Sequence, residues 1–147
     1  MVDWMIEVLT TFKNSDQTFF LAISIMDRFF KNIGLRAQLP STELHITGIV
    51  AMFVASKYED VVPLLMRTVV NKIGHGKFPL RQIEEKELDI LKVLEYRLGV
   101  PTIKEYMDRY LEEIANLVNR EKYLPNKLLL CTMKTLPFSY ELSQLPP

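Results

Sequence analysis

The segment LHITGIVAMFVAS, residues 44–56, contains no Asp, Glu, Lys or Arg. Ser41 stands ahead of it as a helix N-cap, and the pattern predicts a helix from about 42 to 59. Ile46, Ile49, Val50, Met52, Phe53 and Val54 occupy all sides of the helical wheel, not one stripe. A helix apolar on every side is buried on every side. Other helices must therefore wrap around this one. Its charge-free run of about 13 residues is too short to cross a bilayer. The run ends abruptly in Lys57, Tyr58, Glu59 and Asp60. A buried helix that finishes in three charges and an aromatic is expected to reach the surface there.

The wrapping elements are legible as helices too. Residues 1–13 place Val2, Met5, Ile6, Leu9 and Phe12 at helical spacing, starting without a cap as if cut into mid-helix. Asn14, Ser15 and Asp16 form a break and cap cluster, with Gln17 as a capping-box partner of Asn14. A helix over about 16–31 then presents Phe19, Ala22, Ile23, Met26 and Phe30. Pro63 suits the first turn of a short helix over 63–73. Gly74, His75, Gly76 and Lys77 read as a turn, and Pro79 opens a helix to about 95. After the break at Gly99, Val100 and Pro101, Thr102 with Glu105 forms a capping box. Behind it Ile103, Tyr106, Met107, Tyr110, Leu111, Ile114, Leu117 and Val118 keep helical spacing, and a last helix is expected between Pro125 and Pro137. No segment alternates as a strand does. The expected fold is all-α: a five-helix domain over residues 1–100 with a central buried helix, then further helices over 101–147 that begin a second, incomplete one.

Composition narrows the function. The chain has 147 residues, 48% hydrophobic, with 18 basic and 18 acidic side chains. Acids and bases interleave, without the basic stripe of a nucleic-acid binder. Asp3 and Glu7 stand where a signal peptide would be positive and then apolar. Cys131 is the only cysteine and reads as a core residue within LLLCTM, which fits a reducing compartment, nucleus or cytoplasm. Neither His45 nor His75 has a neighbour at metal-ligand spacing, and the 74–77 turn lacks the length of a phosphate-cradling loop. Asp27 and Arg28 read as a structural ion pair. No catalytic set, metal or cofactor is expected, and no partner membrane or nucleic acid.

One charge is out of place. On the wheel of the 79–95 helix, Ile83, Ile90, Leu91 and Leu94 share a face, and Glu87 falls in its middle. A carboxylate there needs a cation, because losing one member of a buried pair costs about 3–5 kcal/mol. Lys57, at the end of the apolar helix, needs an anion by the same logic. The two suggest each other, either as an internal staple or as a pair at the mouth of the bundle that meets a partner. Charges inside an apolar rim fix register and partner choice more than they add affinity.

These segments together resemble a cyclin box. MVDWMIEV is similar to its first helix. FFLAISIMDRFF is similar to the second, with the family's Asp-Arg-Phe at Asp27, Arg28 and Phe29. ELHITGIVAMFVASKYED resembles the third, and KELDILKVLEYRLGVPTIKEYM the fifth and its exit. The resemblance covers residues 1 to about 118 and is nearest in style to A- and B-type mitotic cyclins. It implies a regulatory subunit, not an enzyme, that binds and activates a cyclin-dependent kinase in cell-cycle control. Carried over, the kinase-binding residues are Lys57, Tyr58, Glu59, Glu87, Leu91, Tyr96 and Leu98. A groove docking Arg-x-Leu motifs of substrates or inhibitors would use Met1, Trp4, Glu7, Leu44 and His45. Trp4 would be its floor and Glu7 the anchor for the basic residue. Two departures follow. The sequence starts where the first motif is half over, and His45 replaces the family's usual glutamine. The second box stops one or two helices in, which would leave apolar faces uncovered. The rival reading is a cyclin-fold scaffold, or a transcription-factor-like module, that activates no kinase.

Overall fold

The computed structural model of the chain describes residues 1–34 and 40–120, with side chains to residue 116. They form α1 (Val2–Thr11), α2 (Asp16–Asn32), α3 (Ser41–Glu59), α4 (Met66–Thr68), a π-helical turn over Val69–Ile73, α5 (Leu80–Val93) and α6 (Ile103–Arg120). The described residues are helical with no strand. The chain divides into two units, Met1–Thr102 and from Ile103 onward. The helix expected between Pro125 and Pro137 and the core role of Cys131 lie outside the described residues.

Helix α3 is central to the first unit. All its residues from Ile46 to Ser56 are buried, and α1, α2, α5 and the π-turn pack on it. Gly48 leaves room for the residue that precedes α1. The sulfur of Met1 lies 3.0 Å from where a Cβ at Gly48 would stand. Ile49, Val50, Ala51 and Met52 have no exposed surface. Ile49, Val50 and Met52 each contribute about 1.5–3 kcal/mol relative to exposure.

Several local expectations shift by a residue or more. Pro40, not Ser41, occupies the N-cap of α3, and no side chain caps it. Helix α2 is capped by Ser15, whose Oγ accepts from the Thr18 backbone N–H at 3.2 Å. Asn14, freed of the cap, points to the end of α3 instead. The inner face of α2 is centred on Leu21, Ile25 and Phe29, leaving Phe19, Ile23 and Phe30 half-buried at its flanks. On α1, Val2 is exposed while Trp4 and Val8 turn toward the core. Pro63 precedes helix rather than opening it. The Leu64 N–H is held by Ser56 Oγ at 2.9 Å, which keeps the chain extended until Leu65. The Gly74 N–H then bonds Val69 O at 2.8 Å, five residues back, and closes the π-turn.

Helix α5 stops at Val93, two residues early. Glu95 and Tyr96 follow in the left-handed region, at φ 52° and 58°. The Tyr96 N–H returns to Leu91 O at 2.8 Å, the pattern that glycine usually completes at a helix end. In α6, Ile103, Tyr106, Tyr110 and Ile114 are exposed, with Met107 and Leu111 half-buried.

Candidate functional site

Lys57 and Glu87 form an ion pair between the end of α3 and the middle of α5. Glu87 sits beside buried Ile83 and Ile90, and its side chain is 17% exposed. Lys57 is 41% exposed and lies over the Phe53 ring, 4.1 Å from its centroid. The pair is thus open on the lysine side. Exposed aromatic rings follow it on both stretches of chain. Tyr58 is 54% exposed and Tyr96 62%. Leu91 and Leu98 are half-buried against the core, and Glu59 is exposed. Val61 and Val62 extend the apolar surface beyond Asp60.

Asp60 explains the last charge of the opening segment. Its Oδ2 accepts from Asn14 Nδ2 at 2.6 Å. Its Oδ1 accepts from the Ser15 N–H at 3.1 Å and from Thr18 Oγ1 at 2.8 Å. Asn14 also donates to Ser56 Oγ at 3.0 Å. Burial alone would push the Asp60 carboxyl up. The hydrogen bonds from Asn14, Ser15 and Thr18 outweigh it and hold the group below the usual carboxylate range. This clamp ties the start of α2 to the end of α3, directly behind Lys57 and Tyr58. Sequence reasoning missed it, because its partners are far away in the chain and one of them is a backbone N–H.

The expected ion pair of Asp27 with Arg28 is absent among the described residues. Adjacent residues on a helix point in different directions. Arg28 instead donates to backbone carbonyls, Arg97 O at 2.6 Å and Leu98 O at 3.4 Å. Asn32 joins it, donating to Val93 O at 3.2 Å. Two turns earlier on α5, Lys86 bonds Glu43 at 2.9 Å and so ties α5 to the start of α3.

The second candidate surface lies on α1 and α3. The rings of Trp4 and His45 are 4.6 Å apart at 36°. His45 also faces Phe78, at 5.9 Å, a third ring that the sequence did not single out. Met1 covers Gly48. Leu44 is half-buried on α3, and Glu7 is exposed one turn beyond Trp4. Burial, then the charges of Lys77 and His75, lower the His45 imidazole from its ordinary value, so it is neutral at pH 7. Trp4 is the only tryptophan. Its fluorescence is expected to fall in one step as pH drops below about 6.5, the ordinary histidine value, because an imidazolium against the indole quenches it. The step should vanish in His45→Gln. A step that persists there would mean that another group reports.

Residues 1–99 match the family model of the cyclin N-terminal domain. Cyclin-B2-1 of Oryza sativa subsp. japonica is 36% identical over 113 residues, 76% of this chain and 26% of that protein. Cyclin-A3-2 of Arabidopsis thaliana is 34% identical over 110 residues, 75% of this chain and 28% of that one. G2/mitotic-specific cyclin-B1 of Carassius auratus is 26% identical over 147 residues, 100% of this chain and 34% of the relative. The chain spans about a quarter to a third of the length of the curated relatives it matches. On the match to the N-terminal domain model across two thirds of its residues, the chain belongs to the cyclin family.

Proposed function

We propose that this chain is a regulatory, non-catalytic subunit that binds a cyclin-dependent protein kinase and favours its active state in cell-cycle control. The observation that carries the reading is the Lys57–Glu87 pair, open on one side and rimmed by exposed Tyr58 and Tyr96. Two polar contacts fixed inside an apolar rim suit the grip of one amphipathic helix, with the pair setting its register. A kinase whose catalytic glutamate rides on a mobile helix is switched by whatever holds that helix inward. Leu91 and Leu98 supply the floor of this surface and Glu59 its charged edge. Residues 1–100 act as the kinase-binding box and 101–147 as the opening of a second. The Met1, Trp4, Glu7, Leu44 and His45 surface docks basic-apolar peptides of the Arg-x-Leu kind, with Glu7 meeting the basic residue. The protein acts in nucleus or cytoplasm.

The test is calorimetric titration of the full chain into an unphosphorylated cyclin-dependent kinase, followed by a kinase assay of the mixture. Binding with a rise in phosphorylation is the expected result. A well-folded chain that does not bind would favour a scaffold role. Binding to DNA that falls steeply with salt would favour a transcription-factor-like role instead.

A further inference from the structure

We infer that Arg28 is a positioning residue for partner binding, its guanidinium holding the left-handed turn that presents Tyr96 and the segment on which Tyr58 rests. This rests on the kinase reading above and assigns a task within the same surface to a residue outside it.

Arg28 lies on α2, away from the Lys57–Glu87 pair in sequence and on a different helix. Its Nη1 donates to Arg97 O at 2.6 Å and its Nη2 to Leu98 O at 3.4 Å, while Nε reaches Ser24 O at 3.4 Å. One planar fork thus bridges the carbonyls of two successive residues, which a lysine ammonium cannot reproduce. No carboxylate pairs with it among the described residues. Both carbonyls follow directly on Glu95 and Tyr96, two non-glycine residues in the left-handed region. Such a conformation persists only where its surroundings over-determine it. The turn's other ties are mostly local: Glu95 N–H to Lys92 O, Tyr96 N–H to Leu91 O, Arg97 N–H to Leu94 O, Leu98 N–H to Tyr96 O at 3.2 Å, Val100 N–H to Leu98 O and the exposed Arg97–Glu95 pair. Arg28, with Asn32 to Val93 O one turn earlier, therefore supplies the side-chain ties from another helix.

Gly99 completes the arrangement. A Cβ at Gly99 would collide with the Tyr58 hydroxyl. The Tyr58 side chain therefore lies against the segment that Arg28 holds. Both tyrosines are more than half exposed, so the order imposed on them buries little apolar surface within the chain itself. Its benefit falls on binding, where a surface already in its bound shape loses less freedom. A simple fold staple would not require the two most exposed aromatics of the surface to converge on the stapled segment.

Arg28→Lys and Gly99→Ala test this in the full chain, with three measurements on each: urea unfolding, amide hydrogen exchange, and calorimetric affinity for the kinase. Arg28→Lys is expected to keep its unfolding midpoint close to the parent's. Exchange at Leu98 and Val100 should quicken about tenfold, and kinase affinity should weaken about tenfold per folded molecule. Gly99→Ala should weaken affinity through Tyr58 with a smaller change in exchange. A parent that binds and an Arg28→Lys variant that binds equally would overturn this inference alone. So would an affinity loss matched by global unfolding. A parent that binds no kinase would overturn the kinase reading, and this inference with it.

Discussion

Glu87→Ala is expected to weaken kinase binding about 30-fold or more while costing the isolated chain only about 1 kcal/mol of stability. The asymmetry comes from exposure. A fully buried pair broken at one end would cost about 3–5 kcal/mol of folding free energy, the figure that the apolar setting of Glu87 suggests from sequence alone. In the structure Lys57 is 41% exposed, so after loss of Glu87 its ammonium is still hydrated. Water screens the lost attraction, and the stability change falls toward that of a surface pair. Binding reverses the balance. A helix laid over Tyr58 and Tyr96 removes water from Lys57, and an unpartnered ammonium beneath it costs about 2 kcal/mol or more, which is about 30-fold in affinity. Thermal unfolding and calorimetric titration of the same preparation separate the two equilibria. A variant that melts far below the parent yet binds normally per folded molecule would make the pair an internal staple and nothing more.

What could be read from the sequence follows the reach of each physical rule. Helix α3 was legible because burial on all sides leaves an unambiguous pattern, Ile46 to Val54 without a polar face. Glu87 was legible because a charge within an apolar stripe violates the same rule, and Lys57 because one violation demands its complement. The capping of α2 was legible only to within a residue. Asn14, Ser15 and Asp16 can each cap a helix, and the choice fell to Ser15 because Asn14 is claimed by Ser56 and Asp60. The late start of α4 has a similar cause, since Pro63 permits a helix but the Ser56 hydroxyl holds the Leu64 N–H outside it. Arg28 was assigned to the nearest acid in sequence, whereas its partners are carbonyls about 70 residues away. A backbone carbonyl leaves no mark on the residue types around it. The Trp4, His45 and Phe78 rings come from α1, α3 and the loop before α5, and only the first two were within reach of motif reasoning.

Asp60→Ala is expected to lower unfolding stability by about 2–4 kcal/mol, since each hydrogen bond to a charged group contributes about 1.5–3 kcal/mol and three on one carboxylate do not add fully. The loss removes the acceptor shared by Asn14 Nδ2, the Ser15 N–H and Thr18 Oγ1 at a junction of two helices, leaving Asn14 only Ser56 Oγ and Thr18 only Ser15 Oγ as side-chain partners. Thr18 is fully buried, so its hydroxyl must turn to Ser15 Oγ, 2.9 Å away, rather than to water. Asp60→Asn should fall between the two, because an amide oxygen still accepts but carries no charge. The pH dependence distinguishes charge from shape. The folded-state carboxyl is held below its unfolded value by its donors despite partial burial. Its contribution is therefore complete above the unfolded value of about 3.9 and is lost as pH falls through the folded one. Urea unfolding of the parent and of Asp60→Asn at pH 7, 4, 3 and 2 should give a stability gap that is widest at pH 7 and closes toward pH 2. A gap that stays constant over that range would show that the clamp uses the geometry of the carboxyl group and not its charge. Because the clamp ends where Lys57 and Tyr58 begin, the same series read by kinase affinity at pH 7 should show Asp60→Asn binding more weakly than its loss of folded population accounts for.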